Sequence, residues 1–152
     1  MLVYRVGKTK YANDLSGEGA RLYGGRWNHK LTPCIYTSQS RALALLEYSA
    51  NVNIEDLGFS LSITTIEIPN KSIKKIQLSA LPKDWNKLPA PSSTKEIGTD
   101  FLNTSQKSIL QIPSIIIHDE FNFILNPLHK DSSAFKIIEI KSILLDKRIK
   151  GQ

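Results

Sequence analysis

The sequence predicts an α+β fold: one domain over residues 1–152, with mixed or antiparallel sheets and flanking helices. Three observations carry this expectation. Residues 59–68 alternate between apolar and polar with period two, the signature of a half-buried strand. Residues 41–51 place Ala42, Leu43, Leu45, Leu46 and Ala50 at helical spacing behind a serine. Strand-like and helix-like segments then follow one another without a regular βαβ rhythm, which argues against a doubly wound parallel sheet.

The elements are expected in this order. Residues 2–6 form a first strand, and 8–22, polar and glycine-containing, form loop or a short helix. A short strand at 34–37 follows Pro33. Ser40 is the N-cap of the helix at 41–51, because its hydroxyl can take an unpaired N–H of the first turn. The strand at 59–68 ends at Pro69-Asn70, and 73–78 forms another. Residues 81–93 carry Pro82, Pro89 and Pro91 and form a loop. Ser93-Thr94-Lys95-Glu96 has the spacing of a capping box opening a helix to about 108, with Ile97, Phe101 and Leu102 inward. The β-branched runs 113–117 and 135–140 form the last strands.

A chain of 152 residues, 41% hydrophobic and 22% charged, has the material for one real core and is not a disordered segment. No apolar run approaches the roughly 18–20 residues of a membrane span. The start Met1-Leu2-Val3-Tyr4-Arg5 is strand-like rather than a signal peptide, and a cytoplasmic location is expected. A single cysteine, Cys34, excludes an internal disulfide and a cysteine metal cluster. The net charge of +6 favours an anionic partner, and Lys136, Lys141, Lys147, Arg148 and Lys150 gather toward the C-terminus. A solvated basic surface explains the same charge.

Residues 17–28 read Gly-Glu-Gly-Ala-Arg-Leu-Tyr-Gly-Gly-Arg-Trp-Asn and hold four of the eight glycines. Glycine serves where backbone turns sharply or approaches a ligand closely, and arginine grips carboxylates and phosphates with a planar fork. The segment therefore has the composition of a wall for a flat anionic ligand. Glu47 lies in the most apolar helix, either at its edge in water or aimed into a cleft. Ser114 and His118 would share one face of a strand at 113–117, but no Gly-x-Ser-x-Gly elbow surrounds the serine. His29, His118 and His129 lack metal-ligand spacing, so no metal is expected. Neither a dinucleotide fingerprint nor a P-loop is present. Arg5 is either a surface charge or a second arginine in the cleft of Arg26.

Taken together, Tyr4-Arg5, Gly19-Ala20-Arg21, Gly24-Gly25-Arg26-Trp27-Asn28, Tyr36-Thr37-Ser38, Leu43-Ala44-Leu45-Leu46-Glu47, Pro113-Ser114 and Asn126-Pro127 resemble, in this order, the RES-domain family. The resemblance spans nearly the whole chain. It implies an ADP-ribosyltransferase-like fold, NAD as substrate, and a toxin paired with a helix-turn-helix antitoxin of the Xre type. It also implies contact with nucleic acid only through that antitoxin. Carried over residue by residue, it assigns Arg26, Tyr36, Glu47 and Ser114 to the active site. Arg5 and Arg21 fall at basic positions suited to phosphate, and Asn126 in the late Asn-Pro element. Trp27 and Asn28 join them as ligand-binding candidates, Trp27 as a stacking face. NAD fits these residue types: arginine forks suit a pyrophosphate, and a carboxylate stabilises the oxocarbenium charge that develops when the nicotinamide–ribose bond breaks.

The expected reaction is cleavage of free NAD, by water or by phosphate. The alternatives are transfer of ADP-ribose to a protein and, in a different class, a basic nucleic-acid-binding module. The last would bind bare nucleic acid with steep salt dependence. A purely structural interaction protein is disfavoured by the glycine-arginine segment.

Overall fold

The computed structural model describes residues 1–53, 55 and 60–150. Seven strands form one sheet: β1 (Leu2–Lys8), β2 (Ile35–Ser38), β3 (Leu61–Glu67), β4 (Ile73–Lys75), β5 (Ile109–Pro113), β6 (Phe121–Leu125) and β7 (Lys136–Ile143). Their spatial order is β4-β5-β6-β2-β1-β3-β7. The β4–β5 pair is parallel and the other pairs are antiparallel. Among the described residues three α-helices accompany the sheet, α1 (Glu18–Tyr23), α2 (Arg41–Asn51) and α3 (Ser92–Thr104), besides short 3-10 turns. The α+β expectation holds. No helix among the described residues is long and apolar enough to cross a membrane.

Alternation along the strands divides the core between two sheet faces. Val3, Ile35, Ile66, Ile109, Phe123 and Leu125 share one face with Phe135. Cys34, Leu110, Ile112 and Ile124 share the other with Trp27, Trp85, Phe101 and Leu102. The functional side chains project from this second face.

Helix α2 runs over residues 41–51 as expected, and the Ser40 hydroxyl accepts from the Leu43 amide at 3.1 Å. Its inward stripe is Leu43 and Ala44, while Leu46 is exposed. Glu47 follows Leu43 by four residues and Ala44 by three, so it projects from that inward stripe. The open question of edge or cleft is settled in favour of the inward position.

Four expectations are corrected. The capping box does not form: α3 starts at Ser92 behind Pro91, and the Ser93 hydroxyl instead bonds Asp84 at 2.8 Å. The strand at 113–117 lies earlier, at Ile109–Pro113, because Ser114 turns the chain. Only Ile73–Lys75 of 73–78 is strand. Strand β6 was not expected at all; it completes the sheet between β5 and β2. The 59–68 strand is observed as Leu61–Glu67, and Phe59 lies outside the described residues.

Candidate active site

The site is built where β2, β6 and the end of β5 meet under α2. Ser38 and Asn122 are direct partners across β2 and β6, and Asn122 is also opposite Ile112 of β5. Ser114 lies two residues beyond Ile112, so strand alternation brings it to the same face. Glu47 descends from α2 onto this trio. Its Oε1 accepts from the Ser114 hydroxyl at 2.7 Å and from the Asn122 amide at 2.6 Å. The Asn122 carbonyl in turn accepts from the Ser38 hydroxyl at 2.6 Å.

The direction of each bond follows from its neighbours. Ser114 Oγ already accepts the amides of Ile116 at 3.0 Å and Ile117 at 3.2 Å, so its own proton is directed at the carboxylate. Ser114 and Ser38 are buried, at 0% and 3% exposure. Glu47 itself is half-buried, with Oε1 carrying both bonds and Oε2 carrying none among the described residues.

Arg26 is the cation of this region. Its Nη1 donates to the carbonyls of Trp85 at 2.9 Å and Lys87 at 3.0 Å. That tether leaves the Nε–Nη2 edge, the one that makes bidentate contacts, unspent among the described residues. Burial pulls the Arg26 guanidinium below its ordinary value, and the charges of Glu47 first and Tyr36 second oppose that pull. An arginine remains charged under such a shift. The site thus holds a tethered cation within electrostatic reach of a tethered carboxylate.

Tyr36 braces the loop that carries Arg26. Its hydroxyl donates to Asn28 Oδ1 at 2.6 Å and accepts from the Trp27 amide at 3.0 Å. Burial pushes the Tyr36 phenol well above its ordinary value, and Cys34, two residues along the same strand face, adds to the rise. The Cys34 thiol is itself pushed up to about 12 by burial. Gly25 is a glycine because a Cβ there would stand 2.6 Å from the Tyr36 hydroxyl.

Of the residues expected from sequence, Glu47 and Ser114 are in direct contact, and Arg26 and Tyr36 lie within electrostatic reach of them or of each other. The others do different work. Trp27 is 3% exposed and packs among Trp85, Phe101 and Leu110, so the expected stacking face is corrected to a core ring. Asn28, at 0% exposure, spends its amide on the carbonyls of Ala20, His29 and Thr32, which closes the glycine-rich loop. Asn126 joins Leu102 O and the Leu128 amide as a buried turn post. Arg21 is engaged by Glu18 in a two-bond pair, both at 2.7 Å, on the surface of α1. Arg5 leaves β1 on the face opposite Tyr4, the residue paired with Ser38, and holds the carbonyls of Tyr11, Ala12 and Asp14. It does not point into the cleft of Arg26.

The Ser114–His118 pair is likewise absent, because the chain turns at Ser114 and the His118 ring packs 5.3 Å from that of Trp85. Two clefts of about 320 and 360 Å³ open elsewhere, around Pro69 and Ala134, and contain none of these residues. Sequence reasoning missed Ser38 and Asn122. The available signal was a pairing register, which a single sequence does not display.

The fold is that of a mixed-sheet α+β protein in which Ser114 bonds Glu47 and Arg26 lies within electrostatic reach of that carboxylate. Comparison with known proteins gives the family: the RES domain model matches residues 2–146, and the chain belongs to that family. It is 40% identical over 133 residues to "Toxin Res" of Photorhabdus laumondii subsp. laumondii, covering 86% of this chain and 85% of that protein. It is 32% identical over 145 residues to the "Prs ADP-ribosylating toxin" of Sphingobium sp. (strain YBL2), covering 93% and 90%. Among solved structures it is similar to a chain of the M. tuberculosis MbcT-MbcA toxin-antitoxin complex, with a TM-score of 0.75 and 19% identity over 93% of this chain and 83% of that one. At that identity the likeness concerns the fold.

Proposed function

We propose that this chain is the toxin of a toxin–antitoxin pair and that it cleaves the nicotinamide–ribose bond of NAD. The observation that carries the reading is the half-free carboxylate of Glu47 within electrostatic reach of the half-free fork of Arg26. Arg26 offers Nε and Nη2 to the pyrophosphate as two parallel charge-assisted bonds. Glu47 offers Oε2 to the ribose, where positive charge develops as the C1′–N bond lengthens. The bonding pair leaves with the ring, converting a pyridinium into neutral nicotinamide, so no strong general acid is needed. Water or phosphate then bonds to C1′, and a proton is released to solvent in the case of water. Tyr36 and Ser114 support the two charged groups from below. The chemistry needs no metal and belongs in the cytoplasm with its substrate.

The name of the Sphingobium relative favours a second reading, in which a protein side chain receives the ADP-ribose. The similarity to a chain of a toxin-antitoxin complex supports an antitoxin partner. An Xre-type helix-turn-helix protein is the proposed form, with nucleic acid contacted through it. The test is to incubate the pure protein with NAD and identify the products with and without phosphate. Release of nicotinamide, lost in Glu47→Gln, is the expected outcome. Parental turnover by a folded Glu47→Gln variant would overturn the assignment.

A further inference from the structure

We propose that Asn122, backed by Ser38, is a positioning residue that commits one oxygen of Glu47 to scaffolding and leaves the other to act on substrate. The inference rests on the reading of Glu47 as the working carboxylate and assigns a task to a residue that this reading does not require. Three short bonds carry it. Both donors that reach Glu47, the Ser114 hydroxyl at 2.7 Å and the Asn122 amide at 2.6 Å, fall on Oε1. A carboxylate gripped twice through one oxygen keeps one rotamer, and Oε2 is held in a fixed place.

Glu47 decides which way Asn122 faces, and Ser38 completes the arrangement. An asparagine side chain can present either its oxygen or its NH₂ to a neighbour. A carboxylate only accepts, so the NH₂ faces Glu47, and the Oδ1 left toward Ser38 takes its hydroxyl proton at 2.6 Å and holds the amide in that orientation. The opposite orientation would set a carbonyl oxygen against a carboxylate oxygen at the same distance, which is repulsive. Ser38 is 3% exposed and Asn122 is paired with it across two adjacent strands, so the relay is part of the sheet and not a loop contact. A chain of hydrogen bonds in a buried setting polarises along its length, so each member strengthens the next.

The relay makes its contribution in the transition state, where Oε2 must meet the ribose at a set distance. Misplacement of such a group by about 1 Å can cost about 10²-fold in rate. The experiment is steady-state kinetics of the full chain on NAD. Asn122→Ala is expected to lower kcat by about 10- to 100-fold with KM within about twofold, because Asn122 does not touch substrate. Ser38→Ala is expected to fall in the same direction and less far, and Ser38→Thr, which keeps the hydroxyl, to restore turnover. Adding Asn122→Ala to Glu47→Gln is expected to cost nothing further, since the residue acts through the carboxylate. Three results would overturn the proposal: parental kcat in Asn122→Ala, a raised KM with kcat unchanged, or full additivity with Glu47→Gln. Retained turnover in Glu47→Gln alone is a different result, which sinks the functional reading itself and the relay with it.

Discussion

The glycine-arginine segment 17–28 and the Glu47 cluster lie close together and are built on opposite plans. In the segment, conspicuous residue types are consumed in making the loop. Asn28 ties three carbonyls, Trp27 fills the core, Arg21 is neutralised by Glu18, and Gly25 makes room for the Tyr36 hydroxyl. Only Arg26 keeps an unspent edge. In the cluster, ordinary serines and an asparagine are consumed in fixing a single carboxylate oxygen, and the other is kept back. A site is made by what remains unsatisfied after the scaffold has taken its share. Unusual composition by itself reports on scaffolding as much as on chemistry.

The difference can be broken by asking which variants lose activity and which lose stability. Glu47→Gln should show the largest effect: about 10²–10³-fold lower NAD turnover. Its melting temperature should be near the parental value, because an amide keeps the shape and one acceptor. A large fall in melting temperature would make Glu47 a structural post and erase the contrast. Asn28→Ala should do the reverse. It strands a buried hydroxyl and several carbonyls, so chemical denaturation should read a loss of about 2–4 kcal/mol. A stable, fully folded Asn28→Ala protein would mean the loop is held by something else.

Arg26→Lys comes next. A point charge keeps attraction but loses the two-pronged contact, so KM for NAD should rise about tenfold while kcat holds. Unchanged KM would return Arg26 to a purely structural tether of the loop carbonyls at Trp85 and Lys87. The smallest mutational effect belongs to Arg21→Ala, where both melting temperature and KM should be indistinguishable from the parent. A clear rise in KM would show that NAD displaces Glu18 from this arginine.

The pair beneath the loop sharpens the comparison through pH. Cys34 is raised from its ordinary 9.0 to about 12, and Tyr36 is raised well above its ordinary 10.0. The unfolded chain therefore releases these protons first as pH climbs. Stability is full below about pH 9 and falls above it, by about 1.4 kcal/mol per pH unit for each group between its unfolded and folded values. Denaturant titrations from pH 8 to 11 should show this decline. Cys34→Ala should remove the decline between pH 9 and 10 and lessen it above 10, and Tyr36→Phe should lessen only the part above 10. An unchanged slope in both variants would disprove the linkage.

Much of the scaffold was legible in the sequence, for identifiable reasons. Helix α2 announced itself through Ser40 and its apolar spacing, both of which are local. Strand β3 announced itself through period-two alternation. Strand β5 was displaced because Ile115-Ile116-Ile117 looks more strand-like than it is. The Ser114 hydroxyl captures two of those amides and turns the chain. The capping box failed because Asp84, nine residues earlier in the preceding loop, took the Ser93 hydroxyl. Glu47, Arg26, Tyr36 and Ser114 were reached through a family resemblance; the residues alone left Glu47 undecided. Ser38 stood in the Tyr36-Thr37-Ser38 motif without a role and Asn122 went unnamed, because their meaning lies in a cross-strand register between β2 and β6, and β6 itself was not foreseen. What is written locally was read, and what depends on pairing was not.

The turn at Ser114 has a chemical corollary. Its oxygen receives two backbone amides and its proton is given to Glu47, and the residue is 0% exposed. Such a hydroxyl has both lone pairs engaged by backbone amides and is closed off from solvent. Sulfonyl fluorides and related serine-directed reagents should therefore leave the protein unlabelled at this position. Ser114 is then a strut for the carboxylate rather than a nucleophile.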